Sequence, residues 1–355
     1  MPKWIAAVIA VVCCVATGRG QTIELVAGGG EAAEGVLATK ARLGNPFGMD
    51  FDSAGNLFFV EIDGHRVCRI DSKGQLTKIA GTGAKGSAGD GGPALAAEFN
   101  AMHNLAIGAD DSLYLADTLN HRVRLIDRKT GQVSTIAGTD KGFSGDGGPA
   151  VKAQFSGIYC ISLDPARERL YLADLDNRRI RLIVLKSGIV TTVAGNGEKG
   201  APTDGALAAQ SPLVDPRAVT ADAAGNVYVL ERSGHALRVV DKEGKIRTAV
   251  GTGQRGATGD GGPARQATLN GPKHLCIDKD GVIIADTDNH VIRRYTPADG
   301  KIVRIAGSGR KGAAGVGGPA LDVELNQPHG VYVHPTGDLY IADSLNQRIL
   351  RIRRP

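Results

Sequence analysis

Residues Ala116 to Ile126 read ADTLNHRVRLI, and this stretch returns with small changes in three other parts of the chain. The copies are ADLDNRRIRLI at 173–183, ADTDNHVIRRY at 285–295 and ADSLNQRILRI at 342–352. The acidic residue of the motif has equivalents spaced 55 to 57 residues apart, at Glu61, Asp117, Asp174, Glu231, Asp286 and Asp343. A second marker, the final glycine of an apolar-Ala-Gly tripeptide written once as Ala-Val-Gly, keeps the same register at Gly28, Gly81, Gly138, Gly195, Gly251 and Gly307. Two markers in one register indicate six repeated units.

Each unit contains four short runs rich in β-branched and aliphatic residues. In the second unit these runs are 104–109, 113–117, 122–127 and 132–137. Runs of this length between turn signals are typical of strands, and sequences such as DSAGN at Asp52 favour hairpins. Four antiparallel strands in a unit of about 56 residues predict a propeller blade, because a parallel β-helix repeats at shorter intervals. The predicted fold class is therefore all-β, a six-bladed β-propeller of four-stranded antiparallel blades.

The two ends of the chain predict how the ring closes. The sixth unit stops after its third strand, at 349–353, and residues 22–27 form a lone equivalent of a fourth strand. We expect this amino-terminal strand to complete the last blade, because the pairing would cover two sheet edges and join the ends of the chain.

Residues 1–20 have the layout of a signal peptide. Lys3 is followed by an apolar run at 5–16, and the small residues Gly18 and Gly20 precede Gln21. The run is about 12 residues long, too short for a helix that spans a membrane. A lipoprotein anchor at Cys13 or Cys14 is an alternative, although the residues before them form a poor lipobox.

We therefore expect residues 21–355 to form a single propeller domain, exported to the periplasm or secreted, without a transmembrane segment and monomeric. The formal net charge of +5 becomes +3 when Lys3 and Arg19 are removed. So small an excess of positive charge argues against a nucleic-acid partner.

The motif ADTLNHRVRLI and its copies resemble the NHL repeat. The loop pattern GTGxxGxxGDGGPAxxA resembles the many-copy NHL propellers of bacteria and the propeller region of teneurins. The resemblance covers residues 22–355 and implies a six-bladed propeller. It leaves function open, because the family includes enzymes, adhesion modules, sensors and RNA binders.

Two repeated features favour a structural role over a ligand site. The sequence GDGGPA at 89–94, 145–150 and 259–264 lies between the last strand of one blade and the first strand of the next, and it lacks the residues of a P-loop or a calcium loop. Each acidic marker can accept backbone amides of a turn and pair with an arginine five or seven residues later. The residue three positions after the marker is always glycine or asparagine, so we predict a left-handed conformation there.

Residues that break the repeat are the better candidates for function. Some blades begin their first strand with the sequence Pro-x-Gly, and the other blades can be aligned to it. The position of x is occupied, in blade order, by Phe47, His103, Tyr159, Arg217, Lys273 and His329. The next position is occupied by Gly48, Asn104, Cys160, Ala218, His274 and Gly330. The first strand of a blade lines the central channel, so these residues should crowd its mouth on the long-loop face. Two interpretations fit this composition: an anionic-ligand pocket, or, slightly favoured, a plug of satisfied polar groups that fills the channel. The candidate ligand-binding residues are His103, Tyr159, Arg217, Lys273, His274 and His329.

A competing hypothesis is an enzyme at the channel mouth. Peptidyl-glycine α-amidating lyases, which resemble this chain in repeat type, hold zinc with Pro-His motifs in three alternate blades. His103 and His329 match two of those positions, but the third is Arg217, a cation that would repel the metal. Lactonase relatives need carboxylates and calcium at the channel, and the mouth positions offer none. The sequence therefore favours a non-catalytic binding or scaffold propeller without a cofactor, whose long-loop face holds a protein, peptide or envelope glycan; zinc or calcium belongs to the enzyme alternative only.

Overall fold

The computed structural model describes residues 21–32 and 35–354, and they form six four-stranded antiparallel sheets. The signal peptide predicted at residues 1–20 lies outside the described residues. The strands, in chain order, are β1 Ile23–Gly28, β2 Pro46–Phe51, β3 Leu57–Glu61, β4 Arg66–Ile70, β5 Leu76–Ala80, β6 Asn104–Ile107, β7 Leu113–Asp117, β8 Arg122–Ile126, β9 Val133–Ala137, β10 Ile158–Leu163, β11 Arg169–Asp174, β12 Arg179–Val184, β13 Ile189–Ala194, β14 Pro216–Ala221, β15 Val227–Glu231, β16 Ala236–Val240, β17 Ile246–Val250, β18 His274–Ile277, β19 Val282–Asp286, β20 Val291–Thr296, β21 Lys301–Ala306, β22 Pro328–Val333, β23 Leu339–Asp343 and β24 Arg348–Ile352.

Short 3-10 helices lie in the connections between these strands. They are Ala38–Lys40, Ala94–Ala96, Thr118–Asn120, Ala150–Lys152, Ala208–Gln210, Ala264–Gln266, Thr287–Asn289 and Ser344–Asn346.

The six sheets form a closed ring of blades, as the sequence predicts. The innermost strands β2, β6, β10, β14, β18 and β22 each pack against the next, and β22 packs against β2. The sixth sheet has the order β1-β24-β23-β22, so the amino-terminal strand completes the last blade. Its register pairs Ile23 with Ile352 and Leu25 with Leu350, and Glu24 forms an ion pair of 2.7 Å with Arg351. The predicted closure is confirmed.

The GDGGPA loop covers the outer edge of the blade that follows it. In the second blade the N–H of Gly91 donates to the carbonyl oxygen of Val133 at 2.7 Å, and the N–H of Val133 donates to Gly92 at 2.9 Å. The loop before the sixth blade makes the same bonds to β1, where Gly317 N–H donates to Ile23 at 2.8 Å. Each loop thus pairs with an outermost strand that would otherwise present unpaired backbone groups.

The acidic marker and an arginine tie this loop to the blade. Asp174 accepts the N–H of Ser156 at 2.7 Å, and the fully buried Arg181 lies 3.4 Å from Asp174 and 2.8 Å from Asp146 of the loop. The second and fifth blades repeat this arrangement with Asp117–Arg124–Asp90 and Asp286–Arg293–Asp260. In the sixth blade Val316 replaces the loop aspartate, and Arg348, five residues after Asp343, donates instead to the carbonyl oxygens of Ala313 and Glu324.

The left-handed residue of this turn lies one position later than the sequence predicts. It is His65, His121, Arg178, His235, His290 or Gln347, with φ between 45° and 57°. The side chain of the preceding residue, and not its backbone conformation, explains why asparagine occurs there. Asn177 Nδ2 donates to Asp174 at 2.8 Å and to the Gly142 carbonyl oxygen at 2.7 Å. Where the marker is glutamate, its longer side chain fills this space, and a Cβ at Gly64 or Gly234 would lie 2.8 Å from the glutamate carboxylate. The prediction of a left-handed glycine or asparagine was therefore wrong.

Candidate functional site

The predicted mouth residues form a chain of ring contacts around the channel. The Phe47 ring stacks on His329 with centroids 4.3 Å apart and meets His103 edge to face at 5.3 Å. His103 contacts Tyr159 at 4.6 Å, and the guanidinium of Arg217 lies over the Tyr159 ring at 4.7 Å. Five blades are linked in this way, so the structure brings these five side chains together.

The two mouth imidazoles are held by backbone carbonyls. His103 Nδ1 lies 2.8 Å from the carbonyl oxygen of Ala101, and His329 Nδ1 lies 2.7 Å from that of Gln327. Since a carbonyl can only accept, each Nδ1 carries the proton. Burial, aided by the charge of Arg217, lowers the pKa of His103 to about 3, and burial with the charges of Lys273 and Arg217 lowers the pKa of His329 well below its usual value. Both rings are therefore neutral at physiological pH.

Arg217 is a buried cation without an ion-pair partner. Its side chain is 4% exposed, its Nη1 donates to the carbonyl oxygen of Tyr159 at 3.2 Å, and its Nε has no hydrogen-bond partner among the described residues. No carboxylate oxygen of the described chain lies within 4.0 Å of its guanidinium. Burial lowers its pKa to about 10. A buried guanidinium that is only partly satisfied costs free energy, and that cost is the strongest sign of function at the mouth.

Lys273 adds a second positive charge at the mouth. Its Nζ lies 3.3 Å from Asp288 Oδ1, and burial lowers the pKa of its ammonium. Lys273 is thus already paired within its own blade, which distinguishes it from Arg217.

A hydrogen bond across the channel closes it directly below the mouth. His274 of the fifth blade and Asn104 of the second blade, on opposite sides of the ring, lie 2.8 Å apart from Nε2 to the side-chain amide. The N–H of Val331 donates to His274 Nδ1 at 3.3 Å. The Asn104 atom that lies 2.8 Å from Nε2 is Nδ2. Because Nδ1 accepts from Val331, the neutral imidazole carries its proton on Nε2, so we assign the Asn104 amide with its oxygen turned towards Nε2 as the acceptor.

Two glycines in the same layer let neighbouring inner strands pack closely. A Cβ at Gly48 would lie 2.6 Å from Asn104 Cα, and a Cβ at Gly330 would lie 2.4 Å from the Phe47 carbonyl oxygen. His274, predicted as a ligand-binding residue, has partners at both ring nitrogens and lies at the inner end of a cavity in the channel, so its role in binding stays a prediction.

The neutral state of His274 gives a pH-dependent stability. Burial lowers its pKa to about 4, whereas in the unfolded chain it is about 6.5. Its contribution is present above pH 6.5 and is lost as the pH falls towards 4, because only the unfolded chain binds the proton in that range. We expect the wild type to lose about 2 kcal/mol of unfolding free energy relative to His274→Gln between pH 7.5 and 5.0. Urea unfolding of both proteins at the two pH values measures this, and a difference that does not change with pH would refute it.

The mouth does not assemble a metal site from the residues described. Phe47 lies between the two imidazoles, and Arg217 occupies the equivalent position in the fourth blade. Within residues 21–32 and 35–354, no three His, Cys, Asp or Glu side chains are grouped so that they could hold a metal ion.

The cavity inside the channel was not predicted from the sequence. Beyond the Asn104–His274 bond, towards the hairpin face, lies a cavity of about 300 Å³. It is lined by Asp50, Ser162, Arg167, Thr220, Cys276 and Tyr332 among others. Arg167 comes from a hairpin tip, and each of the others lies three positions after the mouth residue of its blade. Only their departure from the apolar residues at neighbouring positions could have drawn attention to them.

This architecture defines the class of protein. It is a six-bladed β-propeller in which the first strand, β1, completes the last blade and closes the ring. Residues 150–258 match the family model described as the Teneurin NHL domain, and residues 325–352 match that of the NHL repeat. Teneurin-3 of Mus musculus is 30% identical over 274 residues, 70% of this chain and 10% of that protein. The protein SUPPRESSOR OF QUENCHING 1, chloroplastic, of Arabidopsis thaliana is 27% identical over 265 residues, 71% of this chain and 25% of that protein. The chain is an NHL-repeat propeller, and it spans less than half the length of these curated relatives.

Solved structures share the fold at low sequence identity. An auxiliary nutrient binding protein from Bacteroides ovatus superposes with a TM-score of 0.69 at 15% identity, covering 94% of this chain and 77% of its own. A streptogramin B lyase superposes with a TM-score of 0.54 at 12% identity, covering 94% and 98%. Binding proteins and enzymes thus share this architecture, so function must be argued from the site. No helix in the described part of the chain is long and apolar enough to cross a membrane.

Proposed function

We propose that this chain is an exported, non-catalytic binding propeller that holds an acidic group of a protein, peptide or envelope glycan at the channel mouth. The observation that carries the proposal is Arg217, whose buried guanidinium has no carboxylate within 4.0 Å in the described chain. An incoming carboxylate or phosphate would supply the missing counter-charge and accept from Nε and Nη. Export rests on the signal-peptide layout of residues 1–20.

The neighbours of Arg217 support recognition of an anion. Burial lowers the pKa of Lys273 and the positive charge of Arg217 lowers it further, so an acid bound between the two cations would meet both charges. Tyr159 covers one face of the guanidinium and is only partly buried, so its ring borders the approach to Arg217 from solvent. The neutral imidazoles of His103 and His329 complete the wall of the mouth.

A capture experiment tests the proposal. Immobilised wild-type protein, Arg217→Met and the exposed-site control Arg247→Met are each incubated with envelope extract of the source cells, and bound partners are quantified by mass spectrometry. We expect at least one partner to fall about tenfold or more on Arg217→Met alone, because a hydrogen bond to a charged group contributes about 1.5–3 kcal/mol. Equal capture by all three proteins would contradict the proposal.

The lyase alternative makes a different prediction for the same preparations. A zinc enzyme should contain about one zinc per chain, lost when His103 and His329 are replaced. Our proposal predicts no stoichiometric zinc or calcium in the wild type. Elemental analysis of the purified protein distinguishes the two.

A further inference from the structure

The cavity on the hairpin side of the channel contains an unpaired set of opposite charges, separate from the mouth. Asp50, 8% exposed, accepts the N–H of Ile107 through Oδ2 at 2.8 Å and the N–H of Phe51 through Oδ1 at 2.7 Å. Arg167 reaches from the hairpin after β10, and its Nη1 donates to the carbonyl oxygens of Ile107 at 2.7 Å and Gly108 at 3.0 Å. The carboxylate and the guanidinium therefore both bind Ile107, one at its N–H and the other at its carbonyl.

Although adjacent, these two groups do not form an ion pair. The positive charge of Arg167 acts on Asp50 through space, but no nitrogen–oxygen distance between them is within 4.0 Å in the described chain. The two bonds of Arg167 to carbonyl oxygens use Nη1, which leaves donors at Nε and Nη2. Burial raises the pKa of Asp50, so a cation beside it would favour its charged form.

The remaining walls restrict the size and chemistry of an occupant. Burial raises the pKa of Asp50 and the nearby Tyr332 hydroxyl partly offsets this, and Ser162 Oγ lies 3.3 Å from Thr220 Oγ1 on the far side of the cavity. The Asn104–His274 bond closes the inner end. A volume of about 300 Å³ admits a molecule of roughly ten non-hydrogen atoms, at the small end of ligand pockets.

We propose that this cavity binds a free α-amino acid, with the ammonium group on Asp50 and Tyr332 and the carboxylate on Arg167. In an α-amino acid the ammonium and carboxylate groups are attached to the same carbon atom. This short spacing suits a site in which Asp50 and Arg167 are both hydrogen-bonded to the backbone of Ile107. The side chain would extend towards Ser162 and Thr220, which favours a small or polar one. This site goes beyond the function proposed for the mouth and lies on the other side of the Asn104–His274 bond.

Calorimetric titration of the purified full chain with each of the twenty proteinogenic L-amino acids tests the site. We expect at least one to bind with a Kd below 1 mM, and its decarboxylated amine and its deaminated acid each to bind at least tenfold more weakly. Asp50→Asn and Arg167→Gln should weaken binding at least tenfold, while Arg128→Gln, an exposed arginine on the same face, should not change it. Circular dichroism and thermal unfolding confirm that each variant is folded.

Three results would overturn the proposal. One is binding of no amino acid below 1 mM; another is equal binding of the deaminated acid, which would indicate an anion site; the third is preferential binding of glucose, included as a neutral polyol. Arg217→Met separates this site from the mouth, because it should lower partner capture about tenfold or more and leave amino-acid affinity unchanged.

Discussion

A chain that begins at Gly29, without β1, is expected to lose more than about 5 kcal/mol of unfolding free energy, a large part of the total for a typical domain. Ile23 is fully buried among Leu350 and Ile352 of β24. Its burial alone contributes about 2–3 kcal/mol, and each ladder hydrogen bond adds about 0.5–1.5 kcal/mol. The deletion would also leave the loop at Gly317 without its partner strand. Urea unfolding and thermal melts, compared with a chain beginning at Gln21, measure the loss.

A cut in a loop is the control for this deletion. Cleavage at an engineered protease site between Gly86 and Gly89 breaks the chain but leaves every blade with four strands. We expect the cut protein to remain folded with a melting temperature close to that of the intact one. If the cut protein melts as early as the truncated one, closure by β1 is not what holds the ring together.

Arg181→Met is expected to cost about 3–5 kcal/mol, because it leaves a buried carboxylate without its cation. Arg181 is fully buried between Asp174 and Asp146 and also lies over the Phe155 ring at 5.0 Å. Burial already raises the pKa of Asp174 to about 6, so the loss of Arg181 should raise it further. Chemical denaturation at pH 7.5 measures the cost, with Arg247→Met as the exposed control.

A double-mutant cycle separates the charge effect from lost packing. Asp174→Asn should destabilise the wild type but cost less, or even stabilise, in the Arg181→Met background, because the carboxylate there has no cation. Additive effects of the two substitutions would show that Arg181 acts through packing alone. A cost below about 1 kcal/mol for Arg181→Met would contradict the assigned role.

The architecture could be predicted from the repeat, because equivalent positions in each blade have the same residue types and pack in the same way. The spacing of the acidic markers fixed six units, and the missing fourth strand of the sixth unit pointed to residues 22–27 as its replacement. The role of GDGGPA as a structural loop also followed from its repetition. Its pairing with the outer strand did not follow, because that contact joins residues about 40 positions apart, such as Gly91 and Val133.

The sequence could predict which residues lie at the channel mouth, but not which of them have hydrogen-bond partners. The register of the repeats predicted that His103, Tyr159, Arg217 and His329 surround one opening, and in the structure their side chains are linked there by ring contacts. Which of them would be satisfied depends on rotamers and on contacts across the ring, such as that between Asn104 and His274, 170 positions apart. The hairpin-face cavity escaped prediction for the same reason, because Arg167 reaches it from a turn that reads as an ordinary hairpin.

The proposal that Arg217 serves a partner and not the fold is tested most directly by the unfolding free energy of Arg217→Met without any ligand. A buried guanidinium without an ion pair costs stability, and an apolar residue of similar length relieves that cost. We predict that the variant gains about 1 kcal/mol or more over the wild type in urea unfolding at pH 7.5. A loss of more than about 1 kcal/mol would identify Arg217 as part of the structural plug of the channel and would contradict a binding role at the mouth.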